Sequence, residues 1–599
     1  MRLKRLLVLL VAICLMAFPI MGCDDDGDCE LSINEDTEKS ENNGDSGDSG
    51  GSGSAVVSSL SLGLAGSINA GESTKVSATV LDQDGDAIQN VNVGFSFTPN
   101  NSGATLSAPS DVTDADGRAS VTYTAGSSTG IVDTIRVSAG SLAKTAQISV
   151  QEENQGPSSP QELLTGGADE IKGAGFFDSV SYIGAFDPNA ASTWADGWTI
   201  QHGETSAEAE SRIWDAGRVD TSPATPVTNV GGLSATDNGD GTVTIPGGTM
   251  TEDATLTNDR VWQLEGSVFV GDKENPPASG EEGITLSIEA GTKIVGLTNT
   301  PSGVIPRLAI SRGHKIVAEG TADAPILMTS DTAVGTGEWG GLAISGLAPL
   351  NEPGGTELGE GDTGVYGGND PEDNSGVLQY VVVAHAGYKF TQEDELNGIS
   401  FQAVGSGTTV DHIQVHRNAD DGVEFYGGTV NARYIYLTEN GDDSLDWTSG
   451  WQGKVQFVSI HKNASSGDQG IEADNLKADK NATPRSHPVL ANMTIRGYPD
   501  NGKGMLLRRG TAANFYNIIV TGFGEGQIDF DDLATFENAG TPSALTGELT
   551  MVSSLIYGDK LFEDMEEPEE PWSVQDWYNA QNNINPQDPV LNEDGTLTK

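Results

Sequence analysis

The chain is poor in cysteine, which limits how its folded part can be stabilised. Its three cysteines, Cys14, Cys23 and Cys29, all lie near the N-terminus of a 599-residue sequence. No disulfide can therefore cross-link the domains that follow. A chain of this length can instead form two or three domains with hydrophobic cores of ordinary size.

Basic residues are also scarce. The sequence has 31 Lys and Arg against 87 Asp and Glu, giving a formal net charge of −56. Such a surface repels nucleic acid and anionic lipid headgroups, so nucleic acid is excluded as a partner. Divalent cations or basic partners are favoured, or the acidity only keeps an exported protein soluble.

A long apolar run is missing as well. After the basic residues of Met1–Arg5, the apolar stretch from Leu6 to Phe18 is too short to cross a bilayer. Residues 1–22 are predicted to be a cleaved export signal. The end of this signal, Ile20-Met21-Gly22-Cys23, resembles the lipobox of bacterial lipoproteins. The resemblance implies that Cys23 is acylated and anchors the protein to a bacterial membrane, at the outer membrane or cell surface; the alternative is a plain signal peptide.

The mature chain is predicted to begin with a tether and an all-β domain. Residues 23–54 are almost entirely Asp, Glu, Ser, Gly and Asn, with too little apolar surface to fold. Residues 55–152 show short alternating strands such as KVSATV and NVGFSF, which predict a β-sandwich. The segments DQDG, VNVGF and DADGRASVT resemble the bacterial immunoglobulin-like domains of the invasin and intimin group. In that family the domain is usually a spacer in a surface protein.

A repeated phrase predicts a solenoid further along the chain. NGISF, DGVEF, DSLDW, QGIEA, KGMLL and EGQID recur at spacings of 22 to 34 residues between Gly398 and Asp529. Such β-rich repeats without helices favour a parallel β-helix over leucine-rich repeats, and we place it at 226–560. The phrases KIVAEGTADAPILMTS and NADDGVEFYGGTVNA resemble right-handed β-helix proteins that bacteria export, a group of largely uncharacterised function. Residues 153–225 are predicted to be a linker and a cap over the first coil, and 561–599 a cap over the last.

Three asparagines occupy the same place in successive repeats, just past a strand. Asn418, Asn440 and Asn463 are predicted to stack as a ladder at a coil turn. His416 and His461 also share a column, with His412 on the same strand as His416. Without a third ligand of compatible spacing, we interpret these histidines as stacked turn residues rather than a zinc site.

Carboxylates recur in the same phrase and predict an acidic column. Side chains alternate along a strand, so Glu424, Asp446 and Glu472 should point outward and stack about 4.8 Å apart. The neighbouring turns add Asp420, Asp421, Asp442, Asp443 and Asp468. Like charges at this spacing need a proton, a cation or a basic neighbour. These eight acids therefore predict a calcium site, the alternative being a solvated acidic strip.

The same acids allow a catalytic alternative, in which Glu424, Asp446 and Glu472 cleave a polysaccharide as in β-helix hydrolases and lyases. The aspartate pairs of ADDGVEF and GDDSLDW resemble the pair of polygalacturonases, but that family's Gly-His-Gly and Arg-x-Lys motifs have no match in the mature chain. There is also no Gly-x-Ser-x-Gly nucleophile motif and no phosphate-binding loop.

Other side chains near the column could bind a sugar. Tyr426, Trp451, Asp474 and Arg508 combine aromatic, acidic and basic groups, although an Asp474–Arg508 surface pair and an aromatic covering a turn are the plainer explanation. The sequence thus predicts a non-enzymatic, lipid-anchored, calcium-stabilised surface protein that binds polysaccharide, matrix or another cell. A polysaccharide hydrolase or lyase and a purely structural envelope protein are the alternatives.

Overall fold

A computed structural model describes residues 57–151, 175–215 and 226–595, with short gaps at 65–66, 72, 84–86, 116, 129, 279–280, 392–393, 465–466, 564–570, 585 and 593–594. Cys23, the predicted signal and tether, and most of the predicted linker lie outside the described residues. No helix in the described ranges is both long and apolar enough to span a membrane.

The first described domain is an antiparallel β-sandwich, as predicted. Its sheets have the strand orders β1-β3-β7-β5 and β2-β9-β8-β4-β6. Alternating residues such as Val76, Ala78 and Val80 are buried between them. The strands are β1 (Ser59–Gly63), β2 (Ser67–Asn69), β3 (Ser73–Leu81), β4 (Asn92–Phe97), β5 (Thr105–Leu106), β6 (Ser110–Val112), β7 (Arg118–Thr124), β8 (Ile131–Ala139) and β9 (Leu142–Gln151).

The second domain is the predicted parallel β-helix. One of its two long sheets, here called sheet 1, has ten strands joined in parallel register. Because successive coils supply successive strands, residues from different repeats become vertical neighbours. The strands of sheet 1 are β14 (Gly248–Met250), β17 (Val268–Val270), β20 (Leu308–Ile310), β23 (Leu342–Ser345), β29 (Ile399–Gln402), β31 (Val423–Tyr426), β33 (Leu445–Thr448), β35 (Ile471–Ala473), β37 (Met505–Leu507) and β39 (Asp529–Phe530).

The other long sheet, sheet 2, has sixteen strands and wraps the remaining sides of the coils. Its strands are β12 (Thr236–Asp237), β13 (Thr242–Ile245), β15 (Ala254–Leu256), β16 (Val261–Leu264), β18 (Thr285–Ile288), β19 (Lys293–Gly296), β21 (Lys315–Glu319), β22 (Ile326–Ser330), β26 (Gly376–Ala384), β30 (Thr409–His416), β32 (Asn431–Thr438), β34 (Lys454–His461), β36 (Val489–Arg496), β38 (Ala513–Thr521), β40 (Leu549–Val552) and β41 (Leu555–Tyr557).

Short elements complete the chain. They are β10 (Asn229–Val230), β11 (Leu233–Ser234), the hairpins β24 (Glu357–Gly359) with β25 (Gly364–Tyr366) and β27 (Lys389–Thr391) with β28 (Asp394–Glu395), helices α1 (Ser206–Glu210), α2 (Leu533–Ala539) and α3 (Val574–Ala580), a π-helical turn (Ser211–Asp215) and a 3-10 turn (Glu360–Asp362). Trp577 of α3 packs on Phe530 of the last sheet 1 strand, with ring centroids 4.8 Å apart. Helix α3 thus lies where we expect the C-terminal cap.

The longer strands of sheet 2 bend at one residue each, and these residues stack. Their φ angles are positive, from 49° to 64°, and the register skips them, so each strand turns a corner of the coil. The rings of Tyr380, His412 and Tyr434 stack with centroids 4.3 and 4.2 Å apart, which gives His412 a structural role. We call the set the bend ladder: Tyr380, His412, Tyr434, Phe457, Asn492 and Asn517.

The predicted N-terminal cap is wrong in its location. Residues 175–215, here called the flank segment, lie along the outside of sheet 2 instead of covering the first coil. Trp198 packs against Tyr380 of the bend ladder at 5.3 Å between ring centroids, and Phe177 packs on Val489 and Ala491, many coils further on. The apolar side chains of the flank segment therefore pack on outward-facing side chains along the side of the solenoid. Near the solenoid start, Val230 joins the main hydrophobic core.

Candidate functional site

The predicted acidic column is present on sheet 1. Glu424 lies opposite Asp446, which lies opposite Glu472 on the next strand. Their neighbours Val423, Leu445 and Ile471 are fully buried inside the coils, as alternation along a strand requires. The whole column runs Thr249, Phe269, Ala309, Ala343, Ser400, Glu424, Asp446, Glu472, Leu506 and Asp529.

The column is covered, which strand alternation does not predict. Glu424 is 7 % exposed and Asp446 is 8 % exposed. The Asn397 amide donates to Glu424 Oε2 at 2.6 Å, and Tyr426 OH donates to Glu360 Oε2 at 2.8 Å, so the segment carrying Glu360 lies above this part of the sheet. The expectation of a solvated acidic strip is therefore wrong for these acids.

Many of the acids have basic partners. Lys389 Nζ contacts Glu395, Asp420 and Asp442 at 2.8, 3.1 and 3.4 Å. A second lysine, Lys462, is fully buried and donates to the backbone carbonyl of Asp442. Burial lowers the pKa of Lys462, and the charge of Asp443 opposes that shift. Each of these lysines neutralises part of the acidic turn.

Glu472 and Asp474 are paired by arginines. Arg508 contacts Glu472 and also Asp474, the latter at 3.1 Å, while Arg509 contacts Asp474 at 2.7 Å. Burial raises the pKa of Glu472 to about 8, and Arg508 opposes this shift. The Asp474–Arg508 pair is therefore formed, and it is part of a buried network rather than an open binding face.

Three other carboxylates form a compact group. Ligand oxygens of Asp421, Glu424 and Asp446 all lie within 4.8 Å of one another, and all three residues are buried. Within the described residues, no ion pair to a basic side chain reaches any of the three. Asp446 Oδ1 is buried and has no hydrogen-bond partner in the described part of the chain. We call Asp421, Glu424 and Asp446 the acidic triad.

Repulsion between the three carboxylates destabilises the folded protein when all of them are ionised. At 4.8 Å, two charges repel by about 3 kcal/mol for an effective dielectric constant of about 20. Burial raises the pKa of Asp446, with further contributions from Glu424 and Glu472. Burial likewise raises the pKa of Asp421 and of Glu424, helped by Asp420 and Glu360 respectively. At neutral pH the triad therefore requires protons or a bound cation.

The remaining acids lie beside the triad. Asp443 is buried, and burial raises its pKa with Glu472 as the next cause. Burial also raises the pKa of Asp420 to about 9 and that of Asp468. Two further groups of three carboxylates lie close together, Glu395 with Asp420 and Asp442, and Asp421 with Asp442 and Asp443. Glu395 was missed from the sequence because it lies outside the repeated phrase.

Two of the predicted ladder asparagines, Asn418 and Asn440, are hydrogen-bonded to each other. Asn418 N donates to Asn440 Oδ1 at 3.2 Å, and Asn418 Nδ2 donates to the Asp421 carbonyl at 2.6 Å. Asn463 Nδ2 donates to Glu439 Oε2 at 3.3 Å. The first two asparagines therefore brace the turn that carries the triad.

Trp451 and Tyr426 do not form the predicted aromatic platform for a sugar, because both rings are buried. Trp451 is fully buried and stacks on Phe425 inside the coil at 4.0 Å between ring centroids, because the turn folds inward. Tyr426 is only 8 % exposed, since its hydroxyl bonds Glu360 under the covering segment. Neither ring can stack on a ligand from solvent.

Asn397 is a site residue that sequence reasoning missed. It precedes Gly398 in NGISF, the place that Asp421 holds before Gly422 in DGVEF. The repeat phrase therefore contains the signal, at a position where one repeat has an amide and the next an acid. Glu360 carried no such signal, because it lies in an insertion outside the repeat.

Comparison with known proteins identifies both domains. The profile of the pectate-lyase-like β-helix domain matches residues 248–582, and that of the bacterial immunoglobulin-like domain, group 1, matches residues 66–151. Both fold resemblances predicted from the sequence are thereby confirmed. A search of curated proteins gives no match.

Two solved structures align with a small part of the chain. Domains 4 and 5 of the S-layer protein SbsC are 18 % identical, with 16 % of this chain and 53 % of that chain covered and a TM-score of 0.13. The D00-D0 domain of intimin is 25 % identical, with 16 % and 44 % covered and a TM-score of 0.13. The chain spans about half the length of these structures, and TM-scores this low carry no argument about function.

Proposed function

Because the chain belongs to the pectate-lyase-like β-helix family and carries a bacterial immunoglobulin-like domain ahead of the solenoid, we propose that it is an exported surface protein with an adhesive or envelope role. The domain order carries this proposal. An acidic tether, a spacer sandwich and a long rigid solenoid form an arrangement suited to holding a binding surface away from a membrane. In this proposal acylated Cys23 anchors the chain.

The anchor and the surface location are tested together on whole cells. We expect antibody against the solenoid to label intact cells, and the protein to fractionate with membranes. In Cys23→Ser the protein should be released in soluble form, because the acyl chains are lost. Membrane association that survives this substitution would contradict the anchor, and labelling only after permeabilisation would contradict surface presentation.

We also propose that the acidic triad binds calcium, which stabilises the solenoid. Calcium takes six to eight oxygen ligands at about 2.4 Å, so oxygens on opposite sides of one ion are about 4.8 Å apart. The triad oxygens fit within that limit. The buried Asp446 Oδ1, which lacks a hydrogen-bond partner within the described residues, is the observation that supports a missing ligand most directly.

Calorimetry of the purified protein in calcium and in EDTA tests the metal. A ligand at one hundred times its Kd stabilises the folded state by about 2.7 kcal/mol, so the melting temperature should rise by several degrees in calcium. Asp446→Asn should abolish this rise. Asp529→Asn is the matched control, because Asp529 lies in the same column but pairs with Lys503 at 3.0 Å. An identical calcium response in wild type and Asp446→Asn would exclude the triad.

The burial of the column weighs against the polysaccharide hydrolase or lyase alternative. A glycosidic bond has to reach both carboxylates that cleave it. Glu424 and Asp446 are nearly inaccessible, and Glu472 is engaged by Arg508. We therefore assign these acids to stabilisation rather than to catalysis.

A further inference from the structure

An open cavity lies on the sheet 1 side of the solenoid, next to the segments that cover the acidic column. Its volume is about 410 Å³, which falls in the size range of small-molecule sites. Val304 and Ile305 form part of its wall just before β20, and Tyr388 and Phe390 form another part. Arg307 and Asp362 supply its charged groups.

The aromatic wall of this cavity is exposed but held in place. Phe390 is 40 % exposed and Val304 is 45 % exposed, whereas Arg307 is 8 % exposed. The Tyr388 and Phe390 rings meet edge to face at 5.1 Å between centroids. The Arg307 guanidinium lies 5.9 Å from the Phe390 ring and 5.8 Å from the Phe269 ring, a cation–π arrangement that fixes the wall.

The residue between the two aromatics ties this wall to the solenoid. Lys389 contacts Asp420 and Asp442, so the strand carries its basic side chain to the acidic turn and its two aromatic side chains to the cavity. Val304, Tyr388 and Phe390 thus form one apolar wall on a fixed base, and such a contiguous patch gains from being covered by a ligand.

The chemistry of the cavity fits a sugar ring. A pyranose has apolar C–H faces that pack on the electron-rich face of an aromatic ring, and hydroxyls that need donors and acceptors. Arg307 supplies donors, and the Asp362 carboxylate, whose side chain is 70 % exposed, supplies acceptors. Within the protein, the Arg307 guanidinium donates to the Asp362 carbonyl at 3.5 Å and the Asp362 carboxylate pairs with Lys273, so these groups are held at the edge of the cavity.

Net charge selects the class of sugar. The chain carries a formal charge of −56, which disfavours the approach of an anionic polysaccharide. A neutral glycan meets no such barrier. We propose that the cavity formed by Val304, Arg307, Asp362, Tyr388 and Phe390 binds neutral sugar residues of a surface polysaccharide. This inference rests on the proposed surface function, for which it names the ligand class.

Titration of the full-length purified protein with neutral oligosaccharides of glucose, mannose, galactose and xylose, followed by calorimetry, tests the cavity. We expect at least one series to bind, and Phe390→Ala to weaken it at least tenfold through loss of ring contact. Tyr557→Ala is the matched control, because Tyr557 is an aromatic residue of similar exposure, 39 %, in β41. The affinity of Tyr557→Ala for the oligosaccharide should equal that of the wild type. Arg307→Gln should also weaken binding by removing charged donors.

The proposal is overturned if none of the neutral series binds, if Phe390→Ala binds as well as Tyr557→Ala, or if uronic acid oligomers bind more tightly than neutral ones. Preferential capture of apolar peptides at the same residues would also overturn it. Antibody labelling of whole cells tests the surface location independently of glycan binding. A labelled protein without glycan binding would refute the cavity alone, and glycan binding by an unlabelled protein would refute the surface role alone.

Discussion

Both long sheets of the solenoid bury columns of polar side chains on their outer faces. The two columns differ in the hydrogen-bond and charge partners that the covering segments supply. On sheet 2 the flank segment supplies neutral partners: Gln414 exchanges two hydrogen bonds with the backbone of Ile200, at 2.8 and 2.6 Å. Gln456 does the same with Asp178, at 2.7 and 2.9 Å. On sheet 1 the covering segments meet carboxylates, and the acidic triad receives no basic partner from the described residues.

This difference separates structural burial from a site that requires a ligand. The side-chain amide of glutamine can bond both the N–H and the C=O of one backbone residue. The flank segment therefore covers sheet 2 without burying an unpaired charge. Carboxylates covered by loops keep their charge unless a cation or proton neutralises it. A covered acidic column is thus stable only where lysine, arginine, a metal or bound protons neutralise it.

Lys462→Met should produce the largest effect, because it removes a fully buried cation from the acidic turn. Leaving Asp443 and its neighbours without this charge is expected to cost about 3–5 kcal/mol at pH 8. Urea unfolding in EDTA measures the loss, which should shrink at pH 5, where the carboxyls can take up protons. Lys454→Met, on the same β34 strand but only half-buried, should change stability much less. Equal losses in the two variants would contradict an electrostatic role for Lys462.

Gln414→Leu should have a smaller effect on the other sheet. It leaves the N–H and C=O of Ile200 without their side-chain partner, at a cost of about 1–3 kcal/mol. Because the damage is local, hydrogen exchange should increase in residues 198–206 before the coils themselves open. Gln452→Leu, at an exposed glutamine of the same solenoid, should leave exchange unchanged. Unaltered protection of the flank segment in Gln414→Leu would show that apolar packing alone holds it.

Sequence reasoning succeeded where a repeat imposes register. The phrase from DGVEF to QGIEA fixed the spacing of strands, so it predicted that Glu424, Asp446 and Glu472 are vertical neighbours. The sandwich was also predictable, because Val76, Ala78 and Val80 alternate with the polar, half-buried Ser77 and Thr79.

The sequence could not predict which parts of the chain cover the coils. Glu360 and the flank segment lie outside the repeat, and they contact residues far away in sequence, as in the bond between Tyr426 and Glu360. Exposure of Tyr426 and Trp451 depends on those coverings and on how a turn folds. Strand alternation reports only whether a side chain points out of the coil, not whether solvent reaches it.

His461→Leu should have the smallest effect at neutral pH and a distinct effect in acid. Burial, with smaller contributions from the charges of His202 and Arg496, lowers the pKa of His461 to about 3. His202 and Tyr436 face its ring at 5.3 and 6.1 Å between centroids. A lowered folded-state pKa means that stability is complete above about pH 6.5 and is lost as the pH falls toward 3.

The leucine variant should therefore unfold within about 1 kcal/mol of wild type at pH 8, and lose less stability than wild type between pH 6.5 and pH 4. Urea midpoints across this range provide the measurement. His487→Leu, at a half-buried histidine before β36, is the control and should keep the wild-type acid sensitivity. If the urea midpoints of His461→Leu and wild type fall equally between pH 6.5 and pH 4, residues other than His461 cause the loss of stability in acid. His385 and His416, whose pKa values burial also lowers, would then be the residues to replace.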